Sequence, residues 1–241
     1  MRAPTAATVL VTGFEPFGGD AVNPSWEIAA RLDGWMVRDS SGTDIARVRA
    51  VRLPCVFGES LEVLGQALAR HRPVAVIGLG LAASRDDISV ERVAINVDDA
   101  RIPDNAGRQP IDLPVRTGAP AAYWSTLPIK AIVAALQAAG IPVSVSQSAG
   151  TFVCNHVFYG LAHRLARRQA QGRHPRAGAG SPRPVRGGFI HVPWLGGPAG
   201  GGESPAGAID LDTAIAAIRI AVQVTLTHDG ADSKLAGGAV D

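Results

Sequence analysis

The feature that most constrains the fold is a repeated alternation of short apolar segments with segments of helical periodicity. Runs rich in β-branched residues occur at residues 8–12 and 74–79, and their length and composition are typical of buried strands. Apolar residues recur at three- and four-residue spacing over residues 61–71 and 152–168, which predicts amphipathic helices. Apolar strands that alternate with helices indicate a mostly parallel sheet covered on both faces. The sequence therefore predicts an α/β fold with a single domain over residues 1–241.

Three segments need separate interpretations. Residues 91–97, ERVAINV, are interpreted as one strand that begins at Glu91, with the preceding SRDDISV as a loop. Residues 171–187 are rich in Arg, Gly and Pro, a composition that cannot bury a core and predicts a mobile surface loop. Residues 228–241 follow the last predicted helix and are expected to form a loose tail.

Charge and composition exclude several classes of function. The 241 residues include 23 Lys and Arg against 21 Asp and Glu, a formal net charge of +2, which gives no argument for a nucleic-acid partner. No apolar run approaches the ~20 residues of a membrane-spanning helix, and the first residues lack the pattern of a signal peptide. We therefore expect a cytoplasmic protein without a membrane partner, in which Cys55 and Cys154 are free thiols.

Two glycine-rich segments are similar to cofactor-binding motifs. Residues 13–20, GFEPFGGD, have the glycine spacing of a phosphate-binding loop, but Gly and Asp replace the Lys and the hydroxyl residue of that motif. Residues 78–83, GLGLAA, match the dinucleotide-binding pattern, which requires a helix directly afterwards. Because a loop is predicted there, we interpret these glycines as allowing a tight exit from the strand. A dinucleotide-dependent oxidoreductase and a non-catalytic ligand-binding module remain alternative hypotheses.

One cysteine, one histidine and one glutamate occupy positions that suit catalysis. Cys154 lies near the start of a predicted helix, where free N–H groups and the helix dipole stabilise a thiolate, although it also falls on the apolar stripe, where a thiol often only packs. His191 lies at the end of a predicted strand. It is either a general base or a buried core histidine. Glu91 is able to orient a histidine or to pair with Arg85 or Arg92.

Four segments together resemble the pyroglutamyl peptidase I family, also called pyrrolidone-carboxylate peptidases, which are cysteine peptidases. They are VLVTGFEPFGGDAVNPSWE, ERVAINVDDARIPDNAGRQPID, SAGTFVCNHVFYGLAH and GFIHVPW, in this order between residues 9 and 194. The resemblance implies a three-layer α/β/α sandwich that removes an N-terminal pyroglutamyl residue from small peptides. It also implies a homo-oligomer, usually a tetramer, with no metal and no organic cofactor.

The resemblance also implies roles for particular residues. Cys154 matches the nucleophile, His191 the general base and acid, and Glu91 the group that orients the histidine. Residues matching the substrate site, an apolar pocket with one arginine, are Phe14, Phe17, Arg101, Ile102, Phe152 and Val153. The pocket suits a small uncharged lactam ring. In the implied reaction the thiolate attacks the carbonyl next to the ring, and water hydrolyses the resulting thioester.

The chain departs from the family pattern at two places. Ala83 and Ser84 precede Arg85 where the family usually has two glycines before the arginine. The spacing between Cys154 and His191 is longer than usual because of residues 171–187, which we interpret as a surface insertion.

Overall fold

The computed structural model describes residues 6–172, 184–196 and 209–236. The strands in these residues are β1 (Ala7–Phe14), β2 (Met36–Arg38), β3 (Asp44–Leu53), β4 (Ala75–Leu81), β5 (Ile88–Glu91), β6 (Val93–Ile95), β7 (Ala122–Trp124), β8 (Val143–Ser146) and β9 (Arg186–Val192). The helices are α1 (Pro24–Leu32), α2 (Glu59–His71), α3 (Ile129–Ala138), α4 (Val153–Ala170) and α5 (Leu211–Thr227). No helix among the described residues combines the length and the apolar character needed to span a membrane.

Seven of the strands form one sheet in the order β2-β3-β1-β4-β9-β5-β8. Strands β3, β1, β4 and β9 are mutually parallel, and β5 and β8 are parallel to each other. Strand β5 runs antiparallel to β9, and β2 antiparallel to β3. The predicted mostly parallel sheet is confirmed, with a reversal of direction between β9 and β5. Strands β6 and β7 form a small antiparallel sheet that packs on α4.

Helices cover both faces of the large sheet. Ile28 of α1, Ile132 of α3 and Ile218 of α5 are fully buried in one apolar cluster with the sheet. Leu64 of α2 and Phe158 of α4 are buried in a second cluster on the opposite face. The predicted three-layer α/β/α sandwich is therefore confirmed. Helices α2 and α4 lie together on one face of the large sheet.

Side chains alternate between these two faces along β4. Ile77 packs in the cluster of α1, α3 and α5, whereas Val76 packs in the cluster of α2 and α4. Gly78 and Gly80 face the same way as Val76, and a Cβ atom at these positions would lie 2.6 and 2.8 Å from the Phe189 ring of β9. The ring occupies the space that two side chains would need, so close packing requires glycine at both positions.

The segment GLGLAA is therefore not a dinucleotide-binding turn. Both glycines lie inside β4, and the next element along the chain is a strand, β5, not a helix. Our interpretation of them as a tight strand exit was wrong, because the close approach of Phe189 and not a turn requires them.

The prediction of one strand over residues 91–97 was also wrong. Glu91 ends β5, and β6 begins at Val93 in the other sheet. Residues 88–90, ISV, were predicted as the end of a loop, and Glu91 as the first residue of a strand. Ile88 and Val90 in fact pack in the cluster of α1, α3 and α5, while Ser89 and Glu91 are buried on the face covered by α4.

The predicted surface loop and tail are shorter than expected where the structure describes them. Helix α4 continues to Ala170, and β9 already begins at Arg186. The middle of the predicted loop, residues 173–183, lies outside the described residues, as do residues 237–241 of the tail. Within residues 228–236, Asp232 is hydrogen-bonded to α3, so this part of the tail is not loose.

Asp232 in this segment caps the N-terminus of α3. Helix α3 follows Pro128, whose side chain makes no capping hydrogen bond. The carboxylate of Asp232 instead accepts hydrogen bonds from the backbone N–H groups of Lys130 (2.8 Å) and Ala131 (3.0 Å). A negative charge at this end of a helix is also favoured by the helix dipole. The C-terminal segment thus replaces the local capping residue that the sequence around Pro128 lacks.

Replacing Asp232 is therefore expected to destabilise the protein. Asp232→Ala should lower the free energy of unfolding by about 1 kcal/mol, within a range of roughly 0.5–2 kcal/mol for lost N-caps. Urea unfolding followed by circular dichroism measures this change. Ser233→Ala, which leaves the carboxylate in place, is the control, and equal stability of the two variants would show that Asp232 does not act as a cap.

Candidate active site

A buried histidine and a buried carboxylate meet across the antiparallel pair of β9 and β5. His191 lies opposite Ser89, so Glu91, two residues further along β5, is its diagonal neighbour on the same face. His191 Nδ1 lies 2.7 Å from Glu91 Oε1. The side chains are 5% and 0% exposed. The reversal of the sheet direction between β9 and β5 thus places the carboxylate against the imidazole.

Glu91 has a second partner on the same oxygen. The guanidinium of Arg85 donates from Nη1 to Glu91 Oε1 at 2.7 Å, so one carboxylate oxygen accepts from both the arginine and the histidine. The sequence left two interpretations of Glu91 open, the orientation of a histidine and an ion pair with an arginine. The structure brings Glu91 together with both groups.

Cys154 lies in the first turn of α4, directly above β4. A Cβ atom placed on Gly80 would lie 2.8 Å from Cys154 Sγ and 2.8 Å from the ring of Phe189. Gly80 is paired with His191 in the parallel ladder of β4 and β9, and the rings of Phe189 and His191 are 5.0 Å apart. The thiol of Cys154 therefore lies over Gly80, the neighbour of His191 in the sheet, and on the same face of the sheet as Glu91.

The start of α4 leaves backbone donors free for another group. The helix begins at Val153 after Phe152, whose side chain makes no capping hydrogen bond. The first N–H groups of any helix have no acceptor within the helix, and the helix dipole adds positive potential at this end. An anion that forms close to Cys154 would be stabilised by these donors.

The surroundings of Cys154 favour its protonated form. Removal of the sulfur from water raises the pKa of the thiol above its usual range. Cys55 and Glu91 raise this pKa further, and Arg85 lowers it. The resting group is thus a thiol that needs a base to become a nucleophile. Both cysteines are free, as predicted.

Aromatic rings form one wall beside the thiol. The ring of Phe152 lies 5.2 Å from that of Phe17 and 5.3 Å from that of Phe57, the second pair edge to face. Phe14 is 2% exposed, and Val153 is fully buried, so these two predicted pocket residues lie in the core behind the surface rings. Phe57 was missed by sequence reasoning, although it follows β3, one of the parallel strands whose carboxyl ends were expected to carry the site.

The other two predicted pocket residues, Arg101 and Ile102, are exposed on the segment after β6. Two hydrogen bonds hold this segment to the turn before α4. Asp99 N donates to Thr151 O at 2.9 Å, and Thr151 Oγ1 donates to Asp99 O at 2.7 Å. Arg101 and Ile102 therefore come shortly after Asp99, which is hydrogen-bonded to the residue that precedes Phe152.

Asn155 and His156, the two residues after Cys154, also hold this segment, and sequence reasoning missed them. The side-chain amide of Asn155 donates to Ile95 O and Val97 O, both at 2.9 Å, and its Oδ1 accepts from Ile95 N at 3.0 Å. His156 Nδ1 lies 2.8 Å from Asp98 Oδ2. The polar residues of VCNHVF on the buried side of a helix are the signal that could have identified them.

His156 has a structural partner on each ring nitrogen. Its Nε2 accepts from Gly58 N at 3.0 Å, so Nδ1 carries the proton donated to Asp98. Both ring nitrogens of His156 are thus occupied by groups other than Cys154. The histidine joins the segment before α2 to the segment that carries Arg101. Within the described residues, no group of three or more His, Cys, Asp and Glu side chains is arranged to hold a metal ion.

A thiol at a helix N-terminus beside a carboxylate-bound imidazole is the arrangement of a cysteine hydrolase. Comparison with known proteins identifies the family: the pyroglutamyl peptidase family model matches residues 7–228. The pyrrolidone-carboxylate peptidases of Klebsiella pneumoniae and Chromobacterium violaceum are 54% and 53% identical to the chain. Each alignment covers 97% of this chain and 99% of the relative. The chain belongs to the pyroglutamyl peptidase family.

Solved structures agree with this assignment. Pyroglutamyl peptidase I of Bacillus amyloliquefaciens has a TM-score of 0.80 at 41% identity and covers 94% of this chain and 100% of its own. The pyrrolidone carboxyl peptidase of Thermococcus litoralis has a TM-score of 0.81 at 38% identity, with 95% and 99% coverage. The three-layer fold described above is thus the fold of these peptidases.

Gly80 is expected to be essential for the placement of the thiol. In Gly80→Ala the added methyl group meets both Cys154 Sγ and the Phe189 ring, so the variant should lose about 1–3 kcal/mol of stability by overpacking. The displaced thiol should also react more slowly with iodoacetamide, as followed by mass spectrometry of the Cys154 peptide. Gly65→Ala is the control, because its methyl group meets only the guanidinium of Arg164. An unchanged alkylation rate in Gly80→Ala would contradict this role.

Proposed function

We propose that this chain is a pyroglutamyl peptidase in which Cys154 is the nucleophile, His191 the general base and acid, and Glu91 the residue that orients His191. The observation that carries this assignment is the 2.7 Å contact between His191 Nδ1 and Glu91 Oε1 on the sheet face where Cys154 Sγ lies over Gly80. Membership of the pyroglutamyl peptidase family supports the same reaction.

The proton path follows from the contact with Glu91. The carboxylate accepts the Nδ1 proton of His191, which leaves Nε2 as the basic nitrogen. Nε2 takes the proton from the Cys154 thiol as the sulfur attacks the carbonyl that follows the pyroglutamyl ring. The imidazolium then protonates the leaving amine, and a thioester remains on Cys154. Water attacks the thioester with His191 again as base, which releases pyroglutamate.

Burial raises the pKa of the Cys154 thiol and so favours its protonated form. We therefore assign removal of the thiol proton to His191. Each tetrahedral intermediate carries a negative oxygen. We assign its stabilisation to the free N–H groups at the start of α4, together with Arg101, at about 3–4 kcal/mol per donor.

The proposed substrate site is the aromatic wall beside the nucleophile. A pyroglutamyl ring is a small lactam without a charged amine, so an apolar surface binds it better than an acidic anchor would. Phe17, Phe152 and Ile102 supply this surface, and Phe14 and Val153 support it from the core. Ala83 and Ser84 lie in the loop after β4, directly before Arg85.

Small pyroglutamyl peptides are thus the proposed partners. A cytoplasmic location and a homotetramer remain predictions, as does the assignment of residues 1–241 to a single peptidase domain. Size-exclusion chromatography with light scattering tests the tetramer.

Replacement of the nucleophile should abolish the reaction. Cys154→Ser is expected to lower kcat for a chromogenic pyroglutamyl amide by about 10³-fold or more, and His191→Ala and Glu91→Gln should also be severely impaired. The matched control is Cys55→Ala, which removes the other free thiol and should stay active. A glutamyl amide, which lacks the lactam, should not be cleaved. Full activity of folded Cys154→Ser would exclude the mechanism.

Removal of one ring from the aromatic wall should weaken substrate binding. Phe17→Ala is expected to raise KM for the pyroglutamyl amide about tenfold, the effect of losing roughly 1.4 kcal/mol of apolar contact. Phe17→Leu keeps much of the apolar surface and should raise KM less. Steady-state kinetics of both variants provide the test. If KM stays at the wild-type value in Phe17→Ala, the ring binds elsewhere.

A further inference from the structure

We propose that Arg85 is a positioning residue for the reaction, which holds Glu91 against His191 and also fixes the turn before the nucleophile. This inference rests on the proposed function, because it assigns the means by which Glu91 and Cys154 keep their relative positions. Arg85 does not act on the substrate directly.

The guanidinium of Arg85 joins two parts of the site. Nη1 donates to Glu91 Oε1 at 2.7 Å, and Nη2 donates to Ser148 O at 3.0 Å. Ser148 lies in the turn between β8 and α4, and Ser146 Oγ donates to the same carbonyl at 3.0 Å. One planar side chain thus ties the carboxylate on β5 to the segment that leads into Cys154. Only a forked cation satisfies both acceptors at once.

The backbone of Arg85 is itself fixed to the strand of His191. Ala82 N donates to Val192 O at 2.9 Å, which extends the ladder of β4 and β9 by one bond. Arg85 N then donates to Ala82 O at 3.0 Å and closes a turn. The arginine is therefore attached at its backbone to the end of β9 and at its guanidinium to β5 and to the turn before α4.

The charge of Arg85 compensates a carboxylate that is wholly buried. Glu91 is 0% exposed, and its second oxygen, Oε2, is buried without a hydrogen-bond partner in the described part of the chain. All polar contacts described for the carboxylate thus pass through Oε1, to Arg85 and His191. A buried charge without a partner is strongly destabilising. Without Arg85, the carboxylate would keep one contact and would be free to turn away from His191.

The arginine is also accessible to a small cation in solution. Its side chain is 29% exposed and lines an open cavity of about 730 Å³ together with Asp86 and Ser146. A guanidinium ion can therefore reach the space that a truncated side chain would leave. This accessibility allows chemical rescue to distinguish loss of the cation from a lasting distortion of the fold.

Two variants separate the charge of Arg85 from its shape. Arg85→Gln removes the charge, and Arg85→Lys keeps the charge but loses the fork. Arg85→Gln should lower kcat for the pyroglutamyl amide about 10- to 100-fold, the effect of losing hydrogen bonds to a charged group, with little change in KM. Arg85→Lys should recover part of the loss.

The pH dependence of iodoacetamide alkylation at Cys154 provides a readout that does not depend on substrate. Arg85 lowers the pKa of this thiol, so its removal raises the pKa and less thiolate is present at a given pH. The alkylation profile of Arg85→Gln should therefore move to higher pH, while that of Arg85→Lys stays near the wild type. Arg31→Gln, which breaks the exposed pair of Arg31 with Glu27, is the matched control and should change neither profile nor kcat.

Addition of guanidinium chloride at non-denaturing concentration to Arg85→Ala should restore part of kcat. The positioning role is overturned if Arg85→Gln keeps wild-type kcat, or if kcat falls while the alkylation profile stays unchanged and guanidinium restores nothing. A wild-type protein that cleaves no pyroglutamyl amide would instead contradict the proposed function. The alkylation profiles would still report whether Arg85 acts on the thiol.

Discussion

The site depends on the burial of one carboxylate at the end of β5, between β9 and the edge strand β8. Glu91 is fully buried and is held by His191 and Arg85 through a single oxygen. A buried ion of this kind is tolerated only where its partners are fixed. The reversal between β9 and β5 provides this condition, since it brings Glu91 diagonally opposite His191 on rigid strands. The positions of the proposed catalytic residues Glu91 and His191 are thus determined by the strand register and not by a flexible loop.

The site also requires space above the same strands for Cys154, the proposed nucleophile. Gly78 and Gly80 leave room for the ring of Phe189, and Gly80 also leaves room for the sulfur of Cys154. Helix α4 can therefore begin close to the sheet, with its free N–H groups beside the reacting atoms. The glycine pattern that resembles a dinucleotide motif is explained by packing around the Phe189 ring and, at Gly80, also around the thiol of Cys154.

Much of the fold was predictable from the sequence, and the exceptions have physical reasons. The apolar segment 74–79 and the amphipathic segment 152–168 correspond to β4 and α4, because burial on both faces or on one face determines their composition. The first three residues of the short strand β5 were predicted as loop, because a strand of four residues with two buried polar side chains, Ser89 and Glu91, has only two apolar residues to indicate it. The roles of Cys154, His191 and Glu91 came from the family resemblance, whereas position alone left each of them ambiguous. The contacts of Asp232 and Arg85 join segments distant in sequence, which periodicity does not reveal.

Cys154, Asn155 and His156 are consecutive, yet they serve two different parts of the site. The first carries the thiol, and the next two hold the segment that leads to Arg101 and Ile102. One residue corresponds to a rotation of about 100° around a helix axis. A single insertion or deletion in α4 directly after His156 would therefore rotate all three residues together, which would turn the thiol away from His191 and release the segment of Arg101 and Ile102 at the same time. The rotational position of the start of α4 is thus under a double constraint.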